Sequence, residues 1–261
     1  MTEKVKVFLL AASLGVAMFA LSGCSEADWK AIGQTLDELA AQGREIRLQR
    51  EAKEREREAK KREIQRQYEL EINELAKKVS AAIEPTTPIV RDYAVNLAKK
   101  YPGPYSVAQI CAIWYHLKEN WRYVNDPRSK EYLAPASETI KVGLAGDCDD
   151  FAILMASLIE AIGGSARVVI AQGKSGAHAY CEVYMASNEQ GSQVVINSIA
   201  TRDFFKKLFS ELRIVSNHRF HYHKDSAGGC WLNLDWGADY PGGAFFEATR
   251  QIFIYADGTW E

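Results

Sequence analysis

Gly146-Asp147-Cys148-Asp149-Asp150-Phe151-Ala152-Ile153-Leu154-Met155-Ala156 decides how this chain is read. An apolar run starts directly after the cysteine and continues to Ile162, where Gly163-Gly164 stops it as glycines stop helices. Cys148 therefore opens a helix. Further on, Ala177-His178-Ala179-Tyr180-Cys181-Glu182-Val183-Tyr184 alternates in the manner of a strand. A cysteine at a helix start and a histidine on a later strand are the two parts of an activated thiol nucleophile. The thiolate is the reactive form, and both a helix N-terminus and an imidazolium favour it. Cys111 and Cys181 sit in apolar helix and strand patterns and read as core residues.

Working outward from that pair, the flanking segments arrange as helices first and strands after. Residues 89–101 and 107–123 read as helices, the second with Ile110, Ile113, Trp114, Leu117 and Trp121 on its apolar side. Asn125-Asp126-Pro127 turns the chain, and 136–146 reads as a loop leading to Cys148. Residues 166–171, 179–185, 193–196, 231–235 and 251–255 read as strands, with a short helix expected over 201–212. Such an order predicts an α+β fold with a mainly antiparallel sheet.

Before this domain the composition changes. Residues 29–80 are rich in Glu, Lys, Arg, Gln and Ala and contain no proline. Interleaved charges over 51–61 support a solvated helix through i,i+4 pairs. Ile64, Tyr68, Ile72, Leu75 and Val79 form one stripe, so the C-terminal end of the helix is expected to pack on something. The helix reads as a stalk dispensable for folding, or as a coiled-coil site for a partner. Pro85 and Pro88 mark the boundary, giving a stalk over 24–84 and a domain over 88–261. The first residues, 1–23, form a targeting segment: Lys4 and Lys6, then an apolar run from Val7 to Leu21 too short to span a bilayer comfortably.

Composition narrows the function classes. The chain has 261 residues, 47% hydrophobic and 25% charged, with a net charge of −2, which gives no push toward nucleic acid. Its five cysteines show no Cys-x-x-Cys metal spacing. His218, His221 and His223 alternate at a spacing metal ligands can use, but no carboxylate-rich motif stands beside them. They read as surface or groove-wall residues, and no metal or cofactor is expected. Cys230 pairs only if the compartment is oxidising.

Two resemblances sharpen this reading. Leu21-Ser22-Gly23-Cys24 resembles a bacterial lipoprotein signal. It implies cleavage before Cys24, lipid attachment there (palmitate among the acyl chains) and a membrane-anchored cell-envelope protein. Ser25 after the cysteine is compatible with the outer membrane. The stretch Thr139–Val168 with His178–Tyr184 resembles the transglutaminase-like core. That likeness implies a papain-like α+β fold, Cys148 as nucleophile and His178 as base. It also implies an Asp on a later strand, for which Trp231-Leu232-Asn233-Leu234-Asp235 offers Asp235, with Asn197 as the nearer alternative. The expected chemistry is attack on a peptide or isopeptide amide through a thioester, with hydrolysis favoured over transfer. An NlpC/P60-type endopeptidase is a second enzymatic reading, weakened by Asp-Cys-Asp-Asp-Phe in place of Asp-Cys-Ser-Gly-Phe. A non-catalytic scaffold lipoprotein is the reading from another class. Asp147, Asp149 and Asp150 suit a helix start yet oppose a thiolate. The oxyanion donor is expected from the Cys148 N–H, with Tyr123, Tyr132 or Tyr180 as side-chain candidates.

Overall fold

A computed structural model describes residues 25–126, 132–201 and 220–261, and no side chain from 198 to 201. The targeting segment 1–23, Cys24, Pro127, most of the expected 201–212 helix and His218 lie outside the described residues. The chain divides into two compact units, 1–68 and 69–261. Helix α1 (Glu26–Ala82) crosses that division. Apart from buried Ile32 its part in the first unit is largely solvated, and its ion pairs, such as Arg47–Glu51 at 3.6 Å and Arg62–Glu58 at 3.6 Å, are exposed and contribute little. No helix among the described residues is long and apolar enough to cross a membrane.

The apolar stripe of α1 is used only from its lower end. Ile64 is exposed, whereas Ile72 is buried and Ala76 and Val79 join the core of the second unit. By compactness the chain divides at Tyr68/Glu69, inside the helix. Prolines report where the helix ends, at Ala82; they do not report where it becomes covered.

The second unit continues with α2 (Pro88–Ala98), α3 (Val107–Asn120), β1 (Arg122–Tyr123), α4 (Ala136–Lys141), β2 (Ala145–Gly146) and α5 (Cys148–Ala161). Then come β3 (Ala166–Gly173), β4 (Gly176–Ala186), α6 (Glu189–Thr201), β5 (Tyr222–Lys224), β6 (Cys230–Asn233) and β7 (Ala248–Tyr255). Helix α5 is buried almost all round, from Phe151 to Ile159, as a central helix must be. It packs against β3 and β4 on one side and against α2, α3 and α4 on the other. The sheet runs β5-β6-β4-β3-β7, every neighbour antiparallel. Period-two alternation on β4 sends Ala179, Cys181 and Val183 into the core with α5. His178, Tyr180 and Glu182 are thereby left for the other face. The expected α+β fold with an antiparallel sheet is the fold found.

Two segments depart from the sequence reading. Gln193–Ile196, expected as a strand, lies within α6. There Ser192 and Ile196 are buried one turn apart while Val194 is 69% exposed, which a strand placing Val194 and Ile196 on one face would not give. Gln193 also donates to Asn197 Oδ1 at 3.0 Å, an i,i+4 bond of a helix. The expected loop 136–146 instead holds α4 and β2.

Candidate active site

The approach to Cys148 is built by close backbone contacts. Strand β2 pairs in parallel with β1, Arg122 with Ala145 and Tyr123 with Gly146. Leu144, just before, has φ +62°, a left-handed conformation that costs a branched side chain on the order of 1–3 kcal/mol. Burial of its side chain in the core offsets that strain. Gly146 has no room for a side chain: a Cβ there would lie 2.2 Å from Asp150 Oδ2. Asp150 needs that space because it accepts from the Asp147 N–H at 3.2 Å and from the Ala134 N–H at 2.9 Å. The helix start and the 132–135 loop are thus joined through one carboxylate. Cys148, half-buried, is the first residue of α5.

His178 comes to this cysteine from β4, opposite Ala171 of β3. Its Nε2 lies 2.9 Å from both Asp235 carboxylate oxygens. Nε2 is thereby committed, and Nδ1 is the nitrogen left to serve the thiol. The Cys148 thiol is close enough to the His178 ring to interact with it. Burial by itself lowers the His178 pKa, but the hydrogen bonds and charges of Asp235 and Cys148 outweigh it and raise it to about 9.

Asp235 is held from all sides. Its N–H donates to Asn233 Oδ1 at 3.0 Å, and its Oδ1 accepts from the Gly237 N–H at 2.8 Å. Its carbonyl accepts from the Trp114 indole at 3.3 Å. Asn233, fully buried, donates in turn to the carbonyls of Gly243 and Ala244, both at 3.0 Å. That tie places Phe246, whose ring lies 5.1 Å from His178. Asn197 stands on α6, and Asp235 is the residue paired with the His178 ring. Asn233, Trp114 and Phe246 were given no part by sequence reasoning; Asn233 carried a signal, since it lies inside the quoted Trp-x-x-Leu-Asp segment.

The three acids around Cys148 are not three charges. Burial first, then a hydrogen bond with Asp147 and the charges of Asp147, Asp150 and Cys148, push Asp149 up to about 9. It is therefore neutral at pH 7, which removes one carboxylate charge from beside the thiol. Burial also raises Asp150, to about 6, against the pull of its two backbone donors. The ligand atoms of Asp147, Asp149 and Asp150 lie within 4.8 Å of one another. Asp150 already uses both oxygens on backbone donors and Asp149 keeps its proton, so this set fits a helix cap better than a cation.

Asp149→Asn tests that protonation. The folded chain keeps a proton that the unfolded chain loses in the ordinary carboxylate range. Stability is therefore lost as pH rises from that range through about 9. Asparagine mimics the neutral acid and keeps the acceptor for the Asp150 N–H, now at 2.8 Å. We expect the variant to gain more than about 1 kcal/mol at pH 8 and little at pH 4, read from urea midpoints.

The other cysteines are unlike Cys148. Cys111 and Cys181 are fully buried, and burial pushes both thiols far up. Cys230 is buried and free. His223 is taken up by Glu182, Nδ1 to Oε1 at 2.5 Å, and its ring stacks on Phe245 at 3.9 Å; His221 meets Phe245 edge-on at 6.1 Å. A cavity of about 670 Å³ opens beside the start of α5, lined by Leu75, Ala82, Leu133, Pro135 and Ile170, with Asp149 in its wall.

Residues 91–193 match the model of the transglutaminase-like superfamily. No curated protein matches the chain. Among solved structures, a Cytophaga hutchinsonii protein described as a candidate cysteine protease is 26% identical, with a TM-score of 0.32, over 38% of this chain and 34% of its own. Calcium-bound LapG of Legionella pneumophila is 17% identical, with a TM-score of 0.30, over 59% of this chain and 76% of its own. The chain thus spans about a third of the length of the first. Asp235 lies beyond the matched segment, which holds both Cys148 and His178. It is that segment, and not the whole chain, that matches the transglutaminase-like superfamily.

Proposed function

We propose that this chain is a lipid-anchored cell-envelope protein that hydrolyses peptide or isopeptide amides with Cys148, His178 and Asp235. The observation that carries the reading is the His178 ring set between the Cys148 thiol and the Asp235 carboxylate, 2.9 Å from the latter. The anchor rests on Leu21-Ser22-Gly23-Cys24, which would place the lipid on Cys24 at a bacterial membrane, the outer one being compatible with Ser25.

In this reading the Cys148 sulfur attacks the amide carbonyl carbon. A C–S bond forms and the carbonyl π pair moves to oxygen, where the Cys148 N–H at the start of α5 can receive it. The intermediate collapses, the C–N bond breaks, and the amine leaves with a proton from His178. Water then attacks the thioester and gives a proton to His178, releasing the acid and the thiol. A ring that keeps its proton up to about 9 carries it through neutral pH, when the leaving amine needs it. Asp235 fixes which nitrogen faces the sulfur. The cavity beside α5 is large enough for an apolar side chain of a peptide substrate.

Thiol labelling tests the assignment. With iodoacetamide at pH 7, peptide mapping should show Cys148 modified far faster than Cys111 or Cys181, since thiolate fraction and access set the rate. His178→Ala should slow Cys148 labelling by about tenfold or more, and Asp235→Ala by less, because Asp235 acts through the ring. Equal labelling of wild type and His178→Ala would leave a non-catalytic scaffold as the better reading.

A further inference from the structure

Tyr123 is fixed beside the nucleophile by the backbone itself. Strand β1 pairs it with Gly146, two residues before Cys148, and the ladder is closed by Arg122 N–H to Leu144 O and Val124 N–H to Gly146 O, both 2.9 Å. The Tyr123 ring lies 5.2 Å from the ring of Trp236, which follows Asp235. Trp236 is clamped in turn by Lys118, whose ammonium donates to the Trp236 carbonyl and sits 5.0 Å over its ring. The Tyr123 hydroxyl so placed is close enough to the Cys148 thiol to interact with it. Neither of the other two tyrosines considered is available in this way. Tyr132 donates to Glu138 Oε2 at 2.8 Å, and the Tyr180 hydroxyl accepts from Gln251 at 2.8 Å.

From this arrangement we infer that Tyr123 is a further catalytic residue, whose hydroxyl donates to the Cys148 sulfur at rest and to the carbonyl oxyanion once the sulfur has attacked. The inference rests on Cys148 being the nucleophile. One hydroxyl can serve both atoms because the sulfur loses its negative charge as the C–S bond forms and the carbonyl oxygen gains it. A donor aimed there before reaction needs no reorganisation when the charge moves. Burial, followed by interaction with Cys148, Asp147 and Asp149, raises the Tyr123 pKa to about 12, so its proton is present throughout the working range. Tyr123 is also 44% exposed, so the loss of its hydroxyl removes little from the core.

Two reactions of the full chain separate this role from a structural one. Iodoacetamide alkylates a thiolate by displacement at carbon and generates no oxyanion. With p-nitrophenyl acetate, the thiolate attacks the carbonyl carbon, the C–S bond forms, the oxyanion appears, and its collapse expels p-nitrophenolate. Tyr123→Phe keeps the ring on Trp236 and removes only the hydroxyl. It should slow the p-nitrophenolate burst by about 100-fold, the effect of losing one oxyanion donor, while alkylation of Cys148 changes by less than about threefold. Unchanged rates in both reactions would overturn the inference. So would a parallel fall in both, which would confine the hydroxyl to thiolate formation. Cys148→Ala examines the underlying reading separately: a burst that survives there removes Cys148 as nucleophile, and Tyr123 with it. A burst lost in Cys148→Ala but intact in Tyr123→Phe removes Tyr123 alone.

Discussion

Arg167→Met is expected to lower the stability of the 69–261 unit by about 3–5 kcal/mol, the usual cost of removing one partner from a buried ion pair. Arg167 is fully buried on β3. Its Nε donates to Glu182 Oε2 at 2.8 Å, and Nη2 lies 2.8 Å from the same oxygen as an ion-pair contact. Its Nη1 donates to the Tyr255 hydroxyl at 3.0 Å and to Glu261 Oε1 at 2.8 Å. The guanidinium also lies 4.1 Å from the Phe253 ring and 4.4 Å from that of Trp231. Methionine fills the stem but leaves Glu182, itself fully buried, with the His223 ring as its remaining side-chain partner. Urea midpoints check the value. Adding Glu182→Gln to Arg167→Met should recover more than half of the loss, because the stranded charge goes with it. A loss below about 1 kcal/mol for Arg167→Met would show that the pair is not worth what its burial implies.

Truncation within α1 should show an abrupt threshold. A chain starting at Glu69 should melt within a few degrees of the full chain, because residues 26–68 belong to the other unit. A chain starting at Ala81 loses buried Ile72, Ala76 and Val79. It also loses two long-range hydrogen bonds, Ser80 Oγ to Ala256 O at 2.7 Å and Trp260 Nε1 to Asn73 Oδ1 at 2.8 Å. Ile72 and Val79 alone contribute about 3–6 kcal/mol by burial. That approaches the whole stability of an ordinary domain, and a drop in thermal midpoint of about 10 °C or more should follow. Equal melting of the two truncated chains, followed by circular dichroism, would return the boundary to Pro85–Pro88.

Cys148 and His178 were legible because each announces itself locally, one by an apolar helical run after it and the other by strand alternation around it. Asp235 was reached through family likeness, since the β4–β6 ladder that brings it to His178 leaves no mark near either residue. Trp236 and Phe246 meet the site by side-chain packing alone, and no spacing encodes that, whereas Tyr123 was one of three candidate donors until the β1–β2 ladder singled it out. The neutral state of Asp149 was equally hidden: a sequence shows three acids in a row, and only burial decides that one of them keeps its proton. Gln193–Ile196 went wrong for a different reason. A short β-branched run satisfies both periods, and the tertiary contacts of Ser192 and Ile196 chose the helix.

The separation of the site residues along the chain carries a consequence for the order of events in biosynthesis. Asp235 follows His178 by 57 residues, and His178 itself follows Cys148. A chain made from its amino end carries the thiol well before the ring, and the ring well before the carboxylate. Until β6 closes on β4, no carboxylate holds the imidazole. On the proposed mechanism the nascent chain is thereby protected from its own chemistry: the carboxylate arrives after the thiol and the ring, with β6, and β7 then completes the sheet.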